Sequence, residues 1–147
     1  MAEGVSFSPA DEYPGWTDWI IGERGEFNRH VFGRMLSRLD DPATARIRIF
    51  PDQTHANTNG VVHGGAILAL IDMAIYPATI LITGKSQLNV VTVDLHTQFI
   101  SPGGFSAPID AVITLTQETG RMCFTRGTLV QDEKVIATFN ALQRKIG

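Results

Sequence analysis

The chain has 147 residues, of which 44% are hydrophobic and 18% charged, with a net charge of −3 and one cysteine. That length gives one domain with a real core, and the composition excludes intrinsic disorder and a broad basic nucleic-acid footprint. Cys123 alone excludes an internal disulfide or a cysteine-built metal site, and the low charge content points to surface covered by another subunit.

In chain order, residues 1–5 lack the basic start and apolar run of a signal peptide, which predicts a cytoplasmic protein. Residues 1–42 read as an N-terminal extension packed on a domain spanning 43–147. Within the extension, residues 26–39 place Phe27, Val31 and Met35 at helical spacing and predict a short amphipathic helix, followed by a turn at Asp40-Asp41-Pro42. Residues 43–50 alternate Ala45, Ile47 and Ile49 against Arg46 and Arg48, a half-buried strand. Residues 55–60 are a polar loop.

Residues 66–82 are the most apolar stretch. Ile67, Leu70, Ile71, Ala74, Ile75 and Ala78 follow the helical period, and Leu68, Tyr76 and Ile80 cover the other side, so the segment predicts a helix buried nearly all round. A membrane span is disfavoured by the central Asp72 and by Pro77, which is expected to kink or end the helix. Beyond it, Val91, Val93, Leu95 and Phe99 alternate with Thr92, Asp94, His96 and Gln98. Three further strands are expected over 107–115, 121–130 and 135–144, joined by short turns and therefore antiparallel. One helix apolar on every side needs a sheet bent around it, an α+β arrangement in which a curved antiparallel β-sheet wraps one long central α-helix.

From residue 53 to residue 84 the only fully charged side chain is Asp72. Just before the helix stand His63, Gly64 and Gly65. Free N–H groups at a helix start favour partial negative charge, and glycines let a ligand approach them, so the pair could polarise a carbonyl or could simply allow close packing. Asp72 could be a structural core acid or a general base, a role suited to a carboxylate buried away from water. Gly64 and Asp72 stand about 12 Å apart along the helix, too far to act on one carbon. If both are catalytic, Asp72 must work with Gly64 of a second chain across a two-fold axis.

The arrangement Asn57-x5-His63-Gly64-Gly65-x6-Asp72, with the downstream run from Val91 to Pro102, resembles the signature of hotdog-fold acyl-CoA thioesterases of the PaaI-like branch. The resemblance covers roughly residues 43–144. It implies that Asp72 is the general base or the nucleophile and that the Gly64 N–H polarises the thioester carbonyl. By the same resemblance Asn57 orients water or thioester, with Asn59 as the alternative, and His63 belongs to the catalytic set, supporting the loop and bonding either to the substrate carbonyl region or to backbone. It also implies that Gly65, Thr92, Tyr76, Phe99 and Arg121 bind substrate, although Thr92 also reads as a plain strand residue and Arg121 as solvated charge. The implied substrate is an aryl- or medium-chain acyl-CoA. Coenzyme A enters as part of the substrate, so neither a separate cofactor nor a metal is expected, and no nucleic-acid or membrane partner. The implied assembly is a homodimer, extending to a homotetramer. Two other readings stay open: a hotdog hydratase or dehydratase on acyl thioesters, and a non-catalytic acyl-CoA sensor.

Other residues carry weaker signals. Cys123 lacks a readable triad, and His55, His63 and Asp72 lack metal-ligand spacing. Arg126, Lys134 and Lys145 read as solvated charges that could meet coenzyme A phosphates. Met122, Phe124 and Phe139 read as core or pocket wall.

Overall fold

The computed structural model describes residues 5–147; the reading of the first residues as lacking a leader falls on residues 1–4 and lies outside the described ones. The chain runs β1 (Val5–Pro9), β2 (Thr17–Ile21), α1 (Phe27–Val31), β3 (Met35–Asp41), β4 (Thr44–Ile49), a 3-10 turn (Gln53–His55), α2 (Gly64–Thr83), β5 (Val90–Phe99), β6 (Ile109–Glu118), β7 (Met122–Gln131) and β8 (Lys134–Lys145). The strands form one eight-stranded sheet in the order β1-β2-β3-β4-β6-β7-β8-β5. All neighbouring strands are antiparallel.

The expected central helix is α2. It packs against β3 and β4 toward one side of the sheet, β6 in the middle and β5 at the far edge, so the sheet has to bend around it. Bulges in β3, β5, β6 and β8 supply local bends. Ile47, Ile49, Ile109, Ile113, Leu129 and Ile136 from the sheet meet Leu70, Ile71, Ala74, Ile75 and Ala78 from the helix, all fully or nearly fully buried. Close approach between β7 and its neighbours requires a glycine. A Cβ on Gly127 would lie 2.3 Å from the Val112 carbonyl oxygen and 2.6 Å from the Phe139 ring.

Pro77 neither ends the helix nor disturbs its burial; α2 continues to Thr83. It removes one N–H, but nearby polar groups are well placed. The Thr79 hydroxyl donates to Gln143 Oε1 at 2.7 Å, with the Ile75 carbonyl at 2.8 Å, and ties the helix to β8. Termination comes at Gly84, whose φ of 67° and N–H to the Ile80 carbonyl close the last turn.

The N-terminal region differs from its sequence reading. The helix expected over 26–39 shrinks to α1, and Gly33, with φ of 60°, releases the chain into β3. There Met35 faces the main core and Leu36 a second cluster with Ala10 and Trp16, so both faces of the strand are buried. With apolar residues adjacent rather than alternating, β3 left no period-2 signal. β1, β2 and β3 continue the same sheet past β4. On its outer face Asp110, nearly fully buried, accepts from Arg46 (3.2 Å) and from Arg48 (2.7 and 2.8 Å). The Trp16 ring lies under the guanidinium groups of Arg38 and Arg48, each at 4.5 Å.

Candidate functional site

The loop before α2 is built to present the start of the helix. His55, buried and stacked on Phe32 at 5.3 Å, accepts from the Asp52 N–H through Nδ1 and meets the Val31 carbonyl through Nε2. Its own carbonyl accepts the His63 N–H at 2.7 Å. The side-chain oxygen of Asn57 accepts from the N–H groups of Asn59 (2.9 Å) and Val61 (3.2 Å), folding the turn that Gly60 completes with φ of 74°. The Val62 N–H then bonds to the Gly103 carbonyl, which anchors the loop to the turn after β5. Sequence reasoning missed His55 as the pin of this loop. An isolated histidine inside a polar stretch gives no signal of burial.

At the helix start, His63 is the N-cap, and its Nδ1 accepts the Gly65 N–H at 2.7 Å. That bond places the proton of the neutral ring on Nε2. It also explains Gly65, since a Cβ there would stand 3.0 Å from His63 Nδ1. The Gly65 N–H is thus committed within the chain. The Gly64 N–H has no hydrogen-bond partner among the described residues, and position 64 lies against the Phe99 ring, with 3.5 Å to a built Cβ.

Two turns further on, Asp72 lines an open cavity of about 470 Å³ with Tyr76, Thr92 and Gln143. The sequence alternation predicts Thr92 on the opposite face from Leu95 and Phe99. In the structure Val93 is an extra residue in a bulge: Thr92 pairs with Gln143, and Asp94 with Leu142. The bulge resets the phase, so Thr92 shares the helix-facing side with Leu95, Thr97 and Phe99. Gln143 comes to the same cavity from β8, a residue that the sequence reading did not single out.

Asp72 itself is exposed, contrary to the expectation of a buried carboxylate. The reason lies in the sheet: β5 is its edge, with one side unpaired among the described strands. Around that edge Leu68, Val91, Val93, Phe99 and Ile100 are exposed apolar side chains. Tyr76 is half-buried beside Asp72 and lines a second, apolar cavity as well. Arg121 is exposed at the turn between β6 and β7, toward the Gly84 end of the helix, and does not line the Asp72 cavity.

The weaker candidates separate clearly. Cys123 is buried, and burial pushes its thiol up, away from the thiolate a nucleophile needs. Among the described residues no three His, Cys, Asp or Glu side chains gather as a metal site. Lys145 is bonded to Glu118 and the Thr119 carbonyl, and Lys134 to the Pro102 carbonyl. Phe139 is core, whereas Phe124 is exposed on the outer face of β7, opposite Leu142.

The architecture matches solved structures of known proteins. It resembles zebra fish thioesterase superfamily member 2 (TM-score 0.72, 19% identity, covering 85% of this chain and 89% of that one). It also resembles a Haemophilus influenzae thioesterase (0.71, 16%, 84% and 85%). The Escherichia coli PaaI protein of the phenylacetic acid degradation operon matches at 0.61, with 19% identity over 71% of this chain and 73% of that one. At these identities the likeness establishes the fold, which is the hotdog fold. No curated protein sequence matches the chain. The family model described as the thioesterase superfamily matches residues 59–137, from the loop turn through α2 and into β8, which is more than half of the chain, and the protein therefore belongs to the thioesterase superfamily of thioester hydrolases.

Proposed function

We propose that the protein hydrolyses acyl-CoA thioesters at a site shared between two copies of the chain. The observation that carries this reading is the placement of two unpartnered chemical groups on one open face. Gly64, Leu68 and Asp72 follow one another at four-residue intervals on α2, so they share a face, and Leu68 is midway. A two-fold axis at Leu68 sets the Asp72 of each chain opposite the partner's Gly64.

The edge strand supports the same axis independently. Phe99 lies against Gly64, and Thr92 shares the Asp72 cavity. The midpoint of β5 between them, at Leu95 and His96, is therefore level with Leu68. Antiparallel pairing of two β5 edges about that point would cover Val91, Val93 and Phe99 and close the unpaired ladder.

In the resulting site the partner's Gly64 N–H donates to the thioester carbonyl oxygen, where charge develops as the carbon becomes tetrahedral. Asp72 takes the proton of a water as the water oxygen bonds to that carbon; collapse breaks the C–S bond, and the sulfur leaves as the coenzyme A thiol with the proton that Asp72 took, which restores the carboxylate. Direct attack by Asp72 would form an anhydride that water then opens, using the same groups. Thr92 and Gln143 offer hydrogen bonds to the water or the carboxylate. His63 holds the Gly64–Gly65 turn in shape. Coenzyme A is part of the substrate, and no step needs a separate cofactor.

Thiol release from a panel of acyl-CoAs, with light scattering on the same samples, tests this reading. Hydrolysis by a dimer or tetramer is expected. Tight acyl-CoA binding without thiol release would favour a sensor, and hydration of an enoyl-CoA without thiol release would favour the hydratase.

A further inference from the structure

Two cavities flank Tyr76. One holds Asp72; the other, of about 250 Å³, is lined by Phe7, Thr17, Trp19, Tyr76, Ile80 and Leu81, with Gly84 and Ser86 at its end. Both are walled by alternate residues of β2: Ile21 at the Asp72 cavity, then Trp19 and Thr17 at the apolar one. Residues i, i+2 and i+4 of a strand line one face, so a single face of β2 runs beside a single flank of α2. The two cavities therefore follow one another along that face and share Tyr76 as a lining residue.

Among the described residues, no Asp, Glu, Lys, Arg or His lines the apolar stretch. Trp19 is buried and stacks on Phe7 at 5.5 Å, and its indole N–H has no hydrogen-bond partner among the described residues. Apolar contact and stacking are what position it. The wall belongs to the N-terminal strands, outside the residues matched by the family model.

We propose that the acyl tail of the substrate runs from Asp72 past Tyr76 into this pocket, and that Trp19, backed by Phe7, sets its length and excludes charged tails. The inference rests on the thioesterase reading of Asp72. From residue 72 to residue 80 the helix advances about 12 Å. An extended alkyl chain advances about 1.25 Å per bond, the projection of a 1.52 Å C–C bond, so the groove takes an unbranched acyl group of about eight to ten carbons. Each buried methylene is worth about fourfold in binding.

The test is a chain-length profile of kcat/KM from butyryl- to hexadecanoyl-CoA. The parent is expected to favour decanoyl- over butyryl-CoA by at least about tenfold and to fall off at hexadecanoyl-CoA. Ile80→Trp, which fills the pocket from the helix side, should lower the decanoyl-to-butyryl ratio at least about tenfold. Trp19→Ala should move the optimum to longer chains. An unchanged ratio in a folded Ile80→Trp would overturn the proposal even if hydrolysis is vigorous. If the parent hydrolyses no acyl-CoA, the reading of Asp72 fails, and the groove is judged by binding alone. In Trp16→Phe, where Trp19 is the sole tryptophan, decanoate but not butyrate should change the fluorescence; no change with decanoate would overturn the groove.

Discussion

The proposed axis makes Leu68 a residue that meets its own copy. In the single chain Leu68 keeps 39% of its surface exposed. Burying a leucine fully is worth about 1.5–3 kcal/mol, so covering the remaining two-fifths adds about 0.6–1.2 kcal/mol per chain. Both copies lose it in Leu68→Ala, which should weaken the dimer by about 1.2–2.4 kcal/mol, or about 7- to 50-fold in the dissociation constant. Leu68→Asp does more, because it sets two carboxylates face to face on the axis. At about 6 Å and an effective dielectric of 20 their repulsion is about 3 kcal/mol, and the combined loss exceeds about a thousandfold. Each monomer should still fold, since the side chain is at the open face. Sedimentation velocity over a dilution series, with thiol release measured at each concentration, reads both effects. Activity per chain should fall with dilution in Leu68→Ala and be lost in a monomeric Leu68→Asp. A Leu68→Asp protein that dimerises like the parent, or a monomer with parental activity, would refute the axis.

Three further outcomes follow from the packing and the loop. Gly127→Ala should destabilise the fold by about 1–3 kcal/mol in urea unfolding, because its Cβ would meet the Val112 carbonyl at 2.3 Å and Phe139 at 2.6 Å. Hydrogen bonds from Lys145 and Lys85 hold the Glu118 carboxyl below its usual range. Its stabilising effect is therefore present above the ordinary glutamate value and is lost as pH falls through the lowered one. Glu118→Gln should be less stable than the parent at pH 7 by less than about 1 kcal/mol, because the pair is partly exposed, and urea midpoints should converge in strong acid. His63→Ser retains an oxygen to cap the helix and removes Nε2, whereas His63→Ala removes both. If the imidazole acts as a cap, serine should recover most of the about 0.5–2 kcal/mol lost in the alanine variant and most of the activity; activity lost equally in both would assign the ring a chemical role.

What could be read from the sequence was what repeats along it. Residues 66–82 carry a helical period over several turns, and the strands after it alternate cleanly, so α2 and the last four strands were legible within a few residues. β3 was not, because Met35 and Leu36 bury opposite faces. β1 and β2 were equally hidden, each being only five residues long and too short for periodicity to separate from loop. At the candidate site, the motif pointed to Gly64 and Asp72, but it could not tell that the Gly65 N–H is already occupied by His63. Nor could it foresee that one extra residue, Val93, turns Thr92 toward Asp72. A bulge leaves no mark in composition, and it shifts every later side chain to the other face. The exposure of Asp72 left no local mark either, since it follows from the place of β5 at the edge of the sheet, a product of the strand order.

The shared site is tested most directly by mixing two inactive variants. Asp72→Asn removes the base. Gly64→Pro removes the carbonyl donor with little strain, since proline suits the first helical position and His63 already has the extended backbone, φ −63° and ψ 137°, that precedes proline. Each alone should lose at least about 100-fold in hydrolysis. Unfolded together and refolded in equal amounts, half the dimers pair unlike chains. In each of those, one site combines the native Asp72 of one chain with the partner's native Gly64, so activity should return to about a quarter of the parent's. No recovery in a mixture shown to contain mixed dimers would contradict a site built from two chains.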